Sequence, residues 1–286
     1  METSQSSDFT VRFWGVRGSI PTPGKETVRY GGNTSCIEMQ IGEKRLIFDG
    51  GTGLQELGKD VMKQLPPKTY MFFTHYHWDH IQGLPFFLPA FIKGHSLQIY
   101  GAIPQNGDSL KKHFLERVLH ANSPVHLSRL KADMQFFDLV CGENFEIEGV
   151  HFQTCHLNHP NNAMGYRVNW RGRSVFYCTD TEHYPDRLDE NVMALAQGAD
   201  VMIYDAMYTD EEYHHPKVPR LGWGHSTWQE GVRIAKAAGV KTLVIFHHDP
   251  AHSDEFLDRI AIEVKDAFPN AVMAREGLIL PVGSGK

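Results

Sequence analysis

A short histidine-rich segment directly after an apolar run constrains the fold of this chain more than any other feature. Residues 75–80 have the sequence HYHWDH, and residues 70–73 before them are YMFF. An apolar run of this kind predicts a buried strand. Alternate side chains of an extended segment point to the same face, so His75 and His77 are placed to bind one metal ion from the end of that strand.

Asp79 and His80 follow at the point where we expect the chain to turn toward a helix that begins near Ile81. Their side chains would point at a second position close to the first. Three imidazoles and one carboxylate within so few residues suit zinc or another borderline divalent ion. The alternative is a solvated polar turn that happens to be rich in histidine, and the preceding strand favours the metal site.

The composition is ordinary for a globular protein. The chain has 286 residues, of which 41% are hydrophobic and 22% charged, and its formal net charge is −6. This acidic balance argues against a protein that wraps a long nucleic acid, although a local basic patch would be compatible with it. We expect a single domain over residues 1–286, with a disordered terminus at residues 1–8.

The cysteines and the apolar runs favour a cytoplasmic protein. The chain contains no C-x-x-C pair among Cys36, Cys141, Cys155 and Cys178, and three of these lie in strand-like runs. They predict reduced thiols rather than disulfides. The polar start lacks the apolar core of a secretory signal, and no apolar run is long enough to span a membrane.

The motif at residues 75–80 resembles the metal-binding signature of the metallo-β-lactamase fold. Further motifs resemble the phosphodiesterase branch of that superfamily, which includes the tRNA 3′-processing endonuclease RNase Z. The resemblance extends from about Phe9 to Pro281. It implies an α/β fold, the αββα sandwich, in which two mixed β-sheets pack together with helices outside.

Two histidine motifs further along the chain resemble later metal motifs of this branch. One is a histidine before proline with Gly-Tyr-Arg a few residues on, which makes His159 the implied ligand and leaves His156 as the alternative. The other is a histidine at the end of the apolar run 242–246. His247 directly follows that run, and His248 is the alternative.

An aspartate after another strand-like run completes the implied metal site. Asp180 follows residues 173–178, where the family places a carboxylate that bridges two ions, since one carboxylate offers two oxygens. The resemblance thus implies one ion held by His75, His77 and His159, a second held by Asp79, His80 and His247, and Asp180 between them. A ligand set without cysteine favours zinc as the cofactor and also permits manganese.

Asp49 has two interpretations that are compatible with each other. It follows the strand-like residues 45–48 and begins an Asp-x-Gly, which in the family supports the metal site through hydrogen bonds to the ligands. Alternatively, it is the N-cap of a helix over residues 54–64.

A second pair of motifs concerns proton transfer. Asp205 after a strand and His225 in a Gly-His-Ser-Thr segment resemble the RNase Z motifs in which an acid orients a histidine that assists the leaving group. RNase Z has Glu at the first position, so Asp205 is a departure. With Asp79, these two are the predicted catalytic residues. Ser226 is expected to cap the following helix, with Gln229 completing a capping box.

Three segments are expected near the site without taking part in metal binding. Phe86 and Phe87 follow the histidine motif and are candidates for the wall of a substrate pocket. Residues 120–133 have no clear period and are expected to form an insertion over the site. His214 and His215 are interpreted as loop residues near the entrance.

These features predict a dinuclear metal-dependent hydrolase, first of all a phosphodiesterase for a small phosphodiester such as a cyclic nucleotide. The net charge of −6 and the lack of an obvious Gly-Pro-rich arm for tRNA favour a small substrate over RNA. The alternatives are an RNA 3′-end endonuclease of the RNase Z type, a lactone or ester hydrolase, and a non-catalytic ligand sensor on the same fold. We expect no membrane partner, and a homodimer is also considered.

Overall fold

The computed structural model describes residues 8–105, 107–120 and 129–283, and it describes no side chains for residues 117–120. The predicted disordered terminus therefore lies outside the described residues except for Asp8, whose carboxylate lies 2.8 Å from Nη1 of Arg173. The segment expected to cover the site falls largely on residues 121–128, which also lie outside.

Two seven-stranded sheets form the centre of the fold. The first contains β1 (Phe9–Gly15), β2 (Cys36–Ile41), β3 (Lys44–Phe48), β4 (Lys68–Phe73), β5 (Ser96–Ala102), β6 (Asp133–Leu139) and β14 (Ile279–Pro281). The second contains β7 (Asn144–Ile147), β8 (Val150–Leu157), β9 (Ala163–Trp170), β10 (Arg173–Cys178), β11 (Val201–Asp205), β12 (Thr242–Phe246) and β13 (Ala271–Met273). The strand order is 14-1-2-3-4-5-6 in the first sheet and 13-12-11-10-9-8-7 in the second.

Each sheet combines antiparallel hairpins with a parallel block. In the first sheet β3, β4, β5 and β6 run parallel, and in the second β10, β11, β12 and β13 do so. The carboxyl ends of parallel strands meet at one edge of a sheet, which is where open α/β sheets place their sites. The candidate ligands follow several of these strands.

The main core lies between the two sheets. Apolar side chains of both inner faces meet there, and the ring of Phe72 on β4 stacks on that of Phe152 on β8 with centroids 4.9 Å apart. Further apolar clusters lie on the outer face of each sheet, where the helices pack. The predicted αββα sandwich of two mixed sheets is confirmed.

The helices of the described residues are α1 (Gly53–Val61), α2 (Trp78–Ile81), α3 (Leu110–Lys112), α4 (Glu190–Ala196), α5 (Asp210–Tyr213), α6 (Trp228–Ala238) and α7 (Asp254–Ala267). The two longest of them, α6 and α7, pack on the second sheet. A π-helical segment, His113–His120, continues α3, and 3₁₀ turns occur at Met62–Gln64, Leu84–Phe86 and Leu88–Phe91. No helix of the described residues has the length and apolar character needed to cross a membrane.

Two predicted helix starts are wrong. The helix expected to begin near Ile81 ends there instead, and Asp79 and His80 lie within it. The N-cap of α6 is Thr227, whose side chain accepts a hydrogen bond from the Glu230 amide. The Ser226 hydroxyl is instead bonded to the Tyr204 hydroxyl at 3.0 Å and to Nδ1 of His183 at 2.9 Å.

Candidate metal centre

The candidate site is built from residues at or just past the carboxyl ends of five strands. Asp49 follows β3, His75 comes two residues after β4, Asp180 comes two residues after β10, Asp205 ends β11 and His247 follows β12. All five residues are buried. The site therefore lies where the parallel blocks of the two sheets meet.

Three of these residues have a backbone conformation that most amino acids avoid. The φ angles of Asp49, Asp180 and His247 are 59°, 56° and 64°. A non-glycine residue with positive φ is uncommon, although Asp, Asn and His adopt it more readily than most others. The left-handed residue turns the chain sharply at the strand end, and such local strain is often found at functional sites.

Three histidines form the first group of candidate ligands. Nε2 of His159, on the loop between β8 and β9, lies 3.0 Å from Nδ1 of His77. The ring centroid of His75 lies 4.5 Å from that of His77 and 4.9 Å from that of His159. One nitrogen of each ring lies within 4.8 Å of the others, so the three could hold a single ion.

Asp79, His80 and His247 form the second group. Oδ2 of Asp79 lies 3.3 Å from Nε2 of His80 and 3.3 Å from Nε2 of His247. The backbone amide of Ser19 donates a hydrogen bond of 2.8 Å to the same oxygen. This amide fixes the carboxylate from the loop after β1, and nothing in the sequence pattern predicted it.

Asp180 lies between the two groups, and its two carboxylate oxygens face different histidines. Oδ2 is 3.6 Å from Nε2 of both His75 and His159. Oδ1 is 3.2 Å from Nε2 of both His80 and His247. This is the arrangement that a carboxylate shared between two cations requires.

The outward nitrogens of His75 and His159 contact fixed hydrogen-bond acceptors, and that of His80 lies close to a carboxylate. Nδ1 of His80 lies 2.9 Å from the Asp49 carboxylate, and Nδ1 of His159 lies 2.7 Å from the Gly224 carbonyl. Nδ1 of His75 lies 3.0 Å from the Thr74 hydroxyl, which donates to Asp49. A histidine that donates from one nitrogen keeps a lone pair on the other, as metal ligands do.

The inward nitrogens fit a metal site. Nε2 of His75 and Nε2 of His80 are fully buried and have no hydrogen-bond partner. A buried polar atom without a hydrogen-bond partner costs free energy of folding, so a group that satisfies it is expected nearby. A bound divalent cation would satisfy these atoms, and the donor set of imidazoles and carboxylates suits such an ion. These side chains therefore offer suitable ligand atoms for the metal ions that the sequence predicts.

The electrostatics of the site favour cations. Burial lowers the pKa of His75 well below its ordinary value and that of His159 to about 4, so both are neutral near pH 7. At His80 burial also acts to lower the pKa, but the nearby carboxylates, first that of Asp180, outweigh it and raise the pKa well above its ordinary value. The same carboxylates would stabilise a bound divalent ion.

A second buried pair lies beside the candidate ligands. Nδ1 of His225 donates to Oδ2 of Asp205 at 2.9 Å, and the His225 ring centroid lies 5.1 Å from those of His159 and His247. Burial acts to lower the pKa of His225, but the Asp205 carboxylate prevails and raises it to about 9. The shorter Asp in place of Glu still reaches the imidazole, and His225 is a cation near pH 7.

Glu182 is a residue near the site that the sequence did not single out. Its carboxylate accepts hydrogen bonds from the Tyr213 hydroxyl at 2.6 Å, the Gly222 amide at 2.6 Å and the Gly224 amide at 2.8 Å. These bonds fix the segment that carries the Gly224 carbonyl and His225. The partners lie far from Glu182 in the chain, so no local pattern reveals them.

The two alternative histidine ligands lie away from the site. His156 is exposed, and its Nε2 is 3.3 Å from the Asn162 side chain. His248 is buried, but its Nε2 donates to the Ala274 carbonyl at 2.8 Å. Neither belongs to a group of described residues that could hold an ion, whereas His159 and His247 do. The ligand roles themselves stay predictions.

Two further expectations are corrected, one for the pair Phe86 and Phe87 and one for Asp49, and a third agrees with the structure. Phe87 is 1% exposed and packs in the outer core, where it lines a small internal cavity that contains none of the candidate ligands. Phe86 is exposed and lines a separate surface depression that contains none of the candidate ligands. The alternative of Asp49 as an N-cap is wrong, because Thr52 is at that position of α1. His214 and His215 are exposed loop residues, as expected.

Comparison with known proteins agrees with this architecture. Residues 23–248 match the Beta-lactamase superfamily domain. Ribonuclease Z of Synechococcus sp. (strain CC9311) is 24% identical over 96% of this chain and 99% of its own length. The metallo-beta-lactamase fold protein YhfI from Bacillus subtilis has a TM-score of 0.71 at 20% identity, covering 96% of this chain and 99% of its own. A diphosphatase from the PhnP family has a TM-score of 0.65 at 19% identity, covering 95% of this chain and 97% of its own.

The family match extends over most of the chain and includes every candidate ligand. The predicted class, a metal-dependent hydrolase, is confirmed at the level of the family, whose fold implies divalent metal ions. By the extent of this match, the chain belongs to the beta-lactamase superfamily.

Proposed function

We propose that the chain is a dinuclear metal-dependent phosphodiesterase that acts on a small phosphodiester such as a cyclic nucleotide. The observation that carries this proposal is the buried pair of Asp205 and His225, 2.9 Å apart, beside the candidate ligands. A phosphodiester releases an alkoxide, which needs a proton, and a histidinium held next to the reacting atoms can give one. A hydrolase that releases a stable anion would not need this pair.

The ligands of the two ions follow from the two groups around Asp180. His75, His77 and His159 would hold one ion, Asp79, His80 and His247 the other, and Asp180 would contact both. When bound there, divalent ions would lower the pKa of an attacking water and offset the negative charge on the phosphate oxygens. We propose zinc first and manganese second, because the donors are nitrogen and oxygen without thiolate.

Three residues of the chain have further roles in this proposal. Nδ1 of His225 is bonded to Asp205, so Nε2 is the nitrogen that can give a proton to the leaving oxygen. Asp205 holds the imidazole in that orientation and stabilises its positive charge. Asp79 is fixed by the Ser19 amide, and although burial acts to raise its pKa, His80 and His247 hold that pKa well below its ordinary value, so its carboxylate is charged beside the second ion.

An RNA 3′-end endonuclease is the second candidate, and the Ribonuclease Z relative at 24% identity supports it. The net charge of −6 supports the smaller substrate, since long nucleic acids are bound mainly by basic surfaces. The likeness in fold to a diphosphatase is compatible with a small phosphate compound. A cytoplasmic location fits either substrate.

A substrate screen with purified, metal-loaded protein tests the proposal. Bis-p-nitrophenyl phosphate and a lactone separate the phosphodiesterase from the other hydrolases. Cyclic nucleotides, dinucleotides and tRNA precursors then separate the small substrates from RNA. Hydrolysis of the lactone alone would reject the phosphodiesterase, cleavage of the tRNA precursors alone would favour the endonuclease, and inertness on every ester would favour a sensor.

A further inference from the structure

We propose that Arg220 binds a second phosphate of the substrate, so that the chain prefers phosphodiesters carrying another phosphate one sugar away from the scissile one. This inference rests on the proposed phosphodiesterase function and names a substrate class for the same site. Three observations support it. Hydrogen bonds fix the turn that contains Arg220 next to His225, aromatic rings contact the guanidinium, and the loop around Arg220 is positively charged.

The turn that carries Arg220 is fixed to the site. The Trp223 amide donates to the Arg220 carbonyl at 3.1 Å, and Gly222 has the positive φ of 82° that such a turn allows to glycine. The Gly222 amide also donates to the buried carboxylate of Glu182 at 2.6 Å. The Arg220 amide donates in addition to the Tyr213 carbonyl at 3.0 Å, so both ends of the turn are held.

Aromatic rings connect the Arg220 guanidinium with the catalytic pair. Its central carbon lies 4.5 Å from the Trp223 ring centroid and 5.7 Å from that of Tyr208. The Tyr208 ring centroid lies in turn 6.2 Å from that of His225. Rings hold a guanidinium by its face and leave its N–H groups for an acceptor in the plane. Arg220 is thus separated from the proposed proton donor by one side chain.

No acidic partner neutralises this arginine. Among the residues that the structure describes, no carboxylate lies within ion-pair distance of Arg220, whereas Arg171 and Arg173 both contact Asp8. The loop that follows α5, residues 214–223, has the sequence HHPKVPRLGW with two cations and no acid, while α5 itself contains Asp210, Glu211 and Glu212. A cationic segment beside the site suits an anionic group of the substrate, and the fork of arginine matches a phosphate.

A matched pair of chromogenic substrates isolates the second phosphate. Thymidine 5′-(p-nitrophenyl phosphate) and its 3′-phosphorylated form have the same scissile bond, base and leaving group. Hydrolysis of either adds water across the phosphorus–oxygen bond and releases p-nitrophenolate. The quantity to compare is the ratio of kcat/KM for the two substrates within each variant, because effects of folding or metal content cancel in that ratio.

We expect the wild type to prefer the 3′-phosphorylated substrate by about tenfold, the size of one charge-assisted hydrogen bond. In Arg220→Gln the preference should disappear, and in Arg220→Lys part of it should return. Arg171→Gln is the control, because Arg171 also stacks on an indole, at 4.4 Å from the Trp170 ring, but at the opposite end of β9. A preference that is absent in the wild type, or that persists in Arg220→Gln, overturns the inference while leaving the phosphodiesterase intact.

Equilibrium binding gives a second readout that needs no turnover. Calorimetry with thymidine 3′,5′-bisphosphate and thymidine 5′-phosphate should show tighter binding of the bisphosphate to the wild type and about equal binding to Arg220→Gln. Equal affinities in the wild type would contradict the inference even if neither ester were hydrolysed. Because the Trp223 ring holds the guanidinium, Trp223→Ala should lose the preference as well. Equal affinities in the wild type, together with weaker binding of both nucleotides to Trp223→Ala, would assign base stacking to the turn instead. The same binding experiment with a short oligoribonucleotide, with and without its 3′-phosphate, shows whether the second phosphate is that of an RNA or that of a free nucleotide.

Discussion

The imidazole of His225 and the carboxylate of Asp205 form a buried ion pair, with Nδ1 and Oδ2 2.9 Å apart. A proton donor with a raised pKa is still charged at neutral pH, and its second nitrogen is free to act. His225 also belongs to two groups of described residues that could hold an ion, one with His159 and Asp180 and one with Asp205 and His247. The proposed role in proton transfer and a role in metal binding predict different phenotypes for its variants.

Replacing His225 by alanine should affect poor leaving groups far more than good ones. Turnover of an alkyl phosphodiester should fall by roughly 10²–10⁴-fold, the usual range for general acid–base catalysis. With p-nitrophenolate, which barely needs a proton, the loss should be much smaller. Steady-state kinetics on both esters and the metal content check this. An equal loss of turnover on both esters would mean that His225 positions the substrate. Loss of metal from His225→Ala would show that His225 is itself a metal ligand.

The pH profile should respond to Asp205. The Asp205 carboxylate contributes to the raised pKa of His225, about 9, and an acid catalyst works only below its pKa. The rate on a poor leaving group should therefore fall on the alkaline side, and in Asp205→Asn this fall should begin at lower pH. Profiles of kcat/KM for both proteins check the shift. Coincident alkaline limbs would show that His225 does not control this titration.

His77→Ala should lose metal and activity together, because an incomplete ligand set cannot hold the ion. Elemental analysis of protein purified without chelator should give two equivalents of metal for the wild type and fewer for the variant. His156→Ala is the matched control, since His156 is exposed and outside the candidate groups. Full metal content in His77→Ala, or less than one equivalent in the reconstituted wild type, would refute the assignment.

Metal removal should lower the melting temperature. His75 and His80 belong to the side of the first sheet, and His159, Asp180 and His247 to the second, so bound ions would link the two sheets. A ligand that binds only the folded state stabilises it by mass action, and we expect a decrease on the order of 5–10 °C. Calorimetry with and without chelator measures it. An unchanged melting temperature after proven metal loss would count against ions that span the sheets.

Glu182→Gln should weaken the segment that carries His225 without removing a ligand. The amide group of glutamine cannot accept all of the hydrogen bonds that the carboxylate receives from Tyr213, Gly222 and Gly224. We expect an activity loss on poor leaving groups, retention of metal, and a stability cost of about 1–3 kcal/mol for the unpaired donor. Glu211→Gln in α5, an exposed position, is the control. Kinetics equal to the wild type would show that the segment holds its position without Glu182.

The sequence predicted those parts of the site that depend on local spacing. His75 and His77 lie past the end of β4, yet their rings are 4.5 Å apart as the i, i+2 spacing predicted, and the runs before Asp180 and His247 are recognisable as buried strands. Contacts between segments that are distant in the chain were not predictable. Examples are the hydrogen bond from the Gly224 amide to Glu182 and the one from the Ser19 amide to Asp79. β6 (Asp133–Leu139) was also missed, because this edge strand is partly exposed and lacks the continuous apolar run of a central strand. The cap of α6 is Thr227, while the Ser226 hydroxyl contacts Tyr204 and His183, two residues distant in the chain that no local pattern connects with it.

The left-handed backbone at Asp49, Asp180 and His247 has a consequence for how this site can evolve. At these positions the main chain itself restricts the amino acids that selection can try, since bulky and β-branched residues are poorly accommodated there. The residues that accept this conformation most readily after glycine, Asn, Asp and His, are also residues that coordinate or orient metal ions. Drift among them would change the charge and the metal preference of the site while the sheets around it stay as they are.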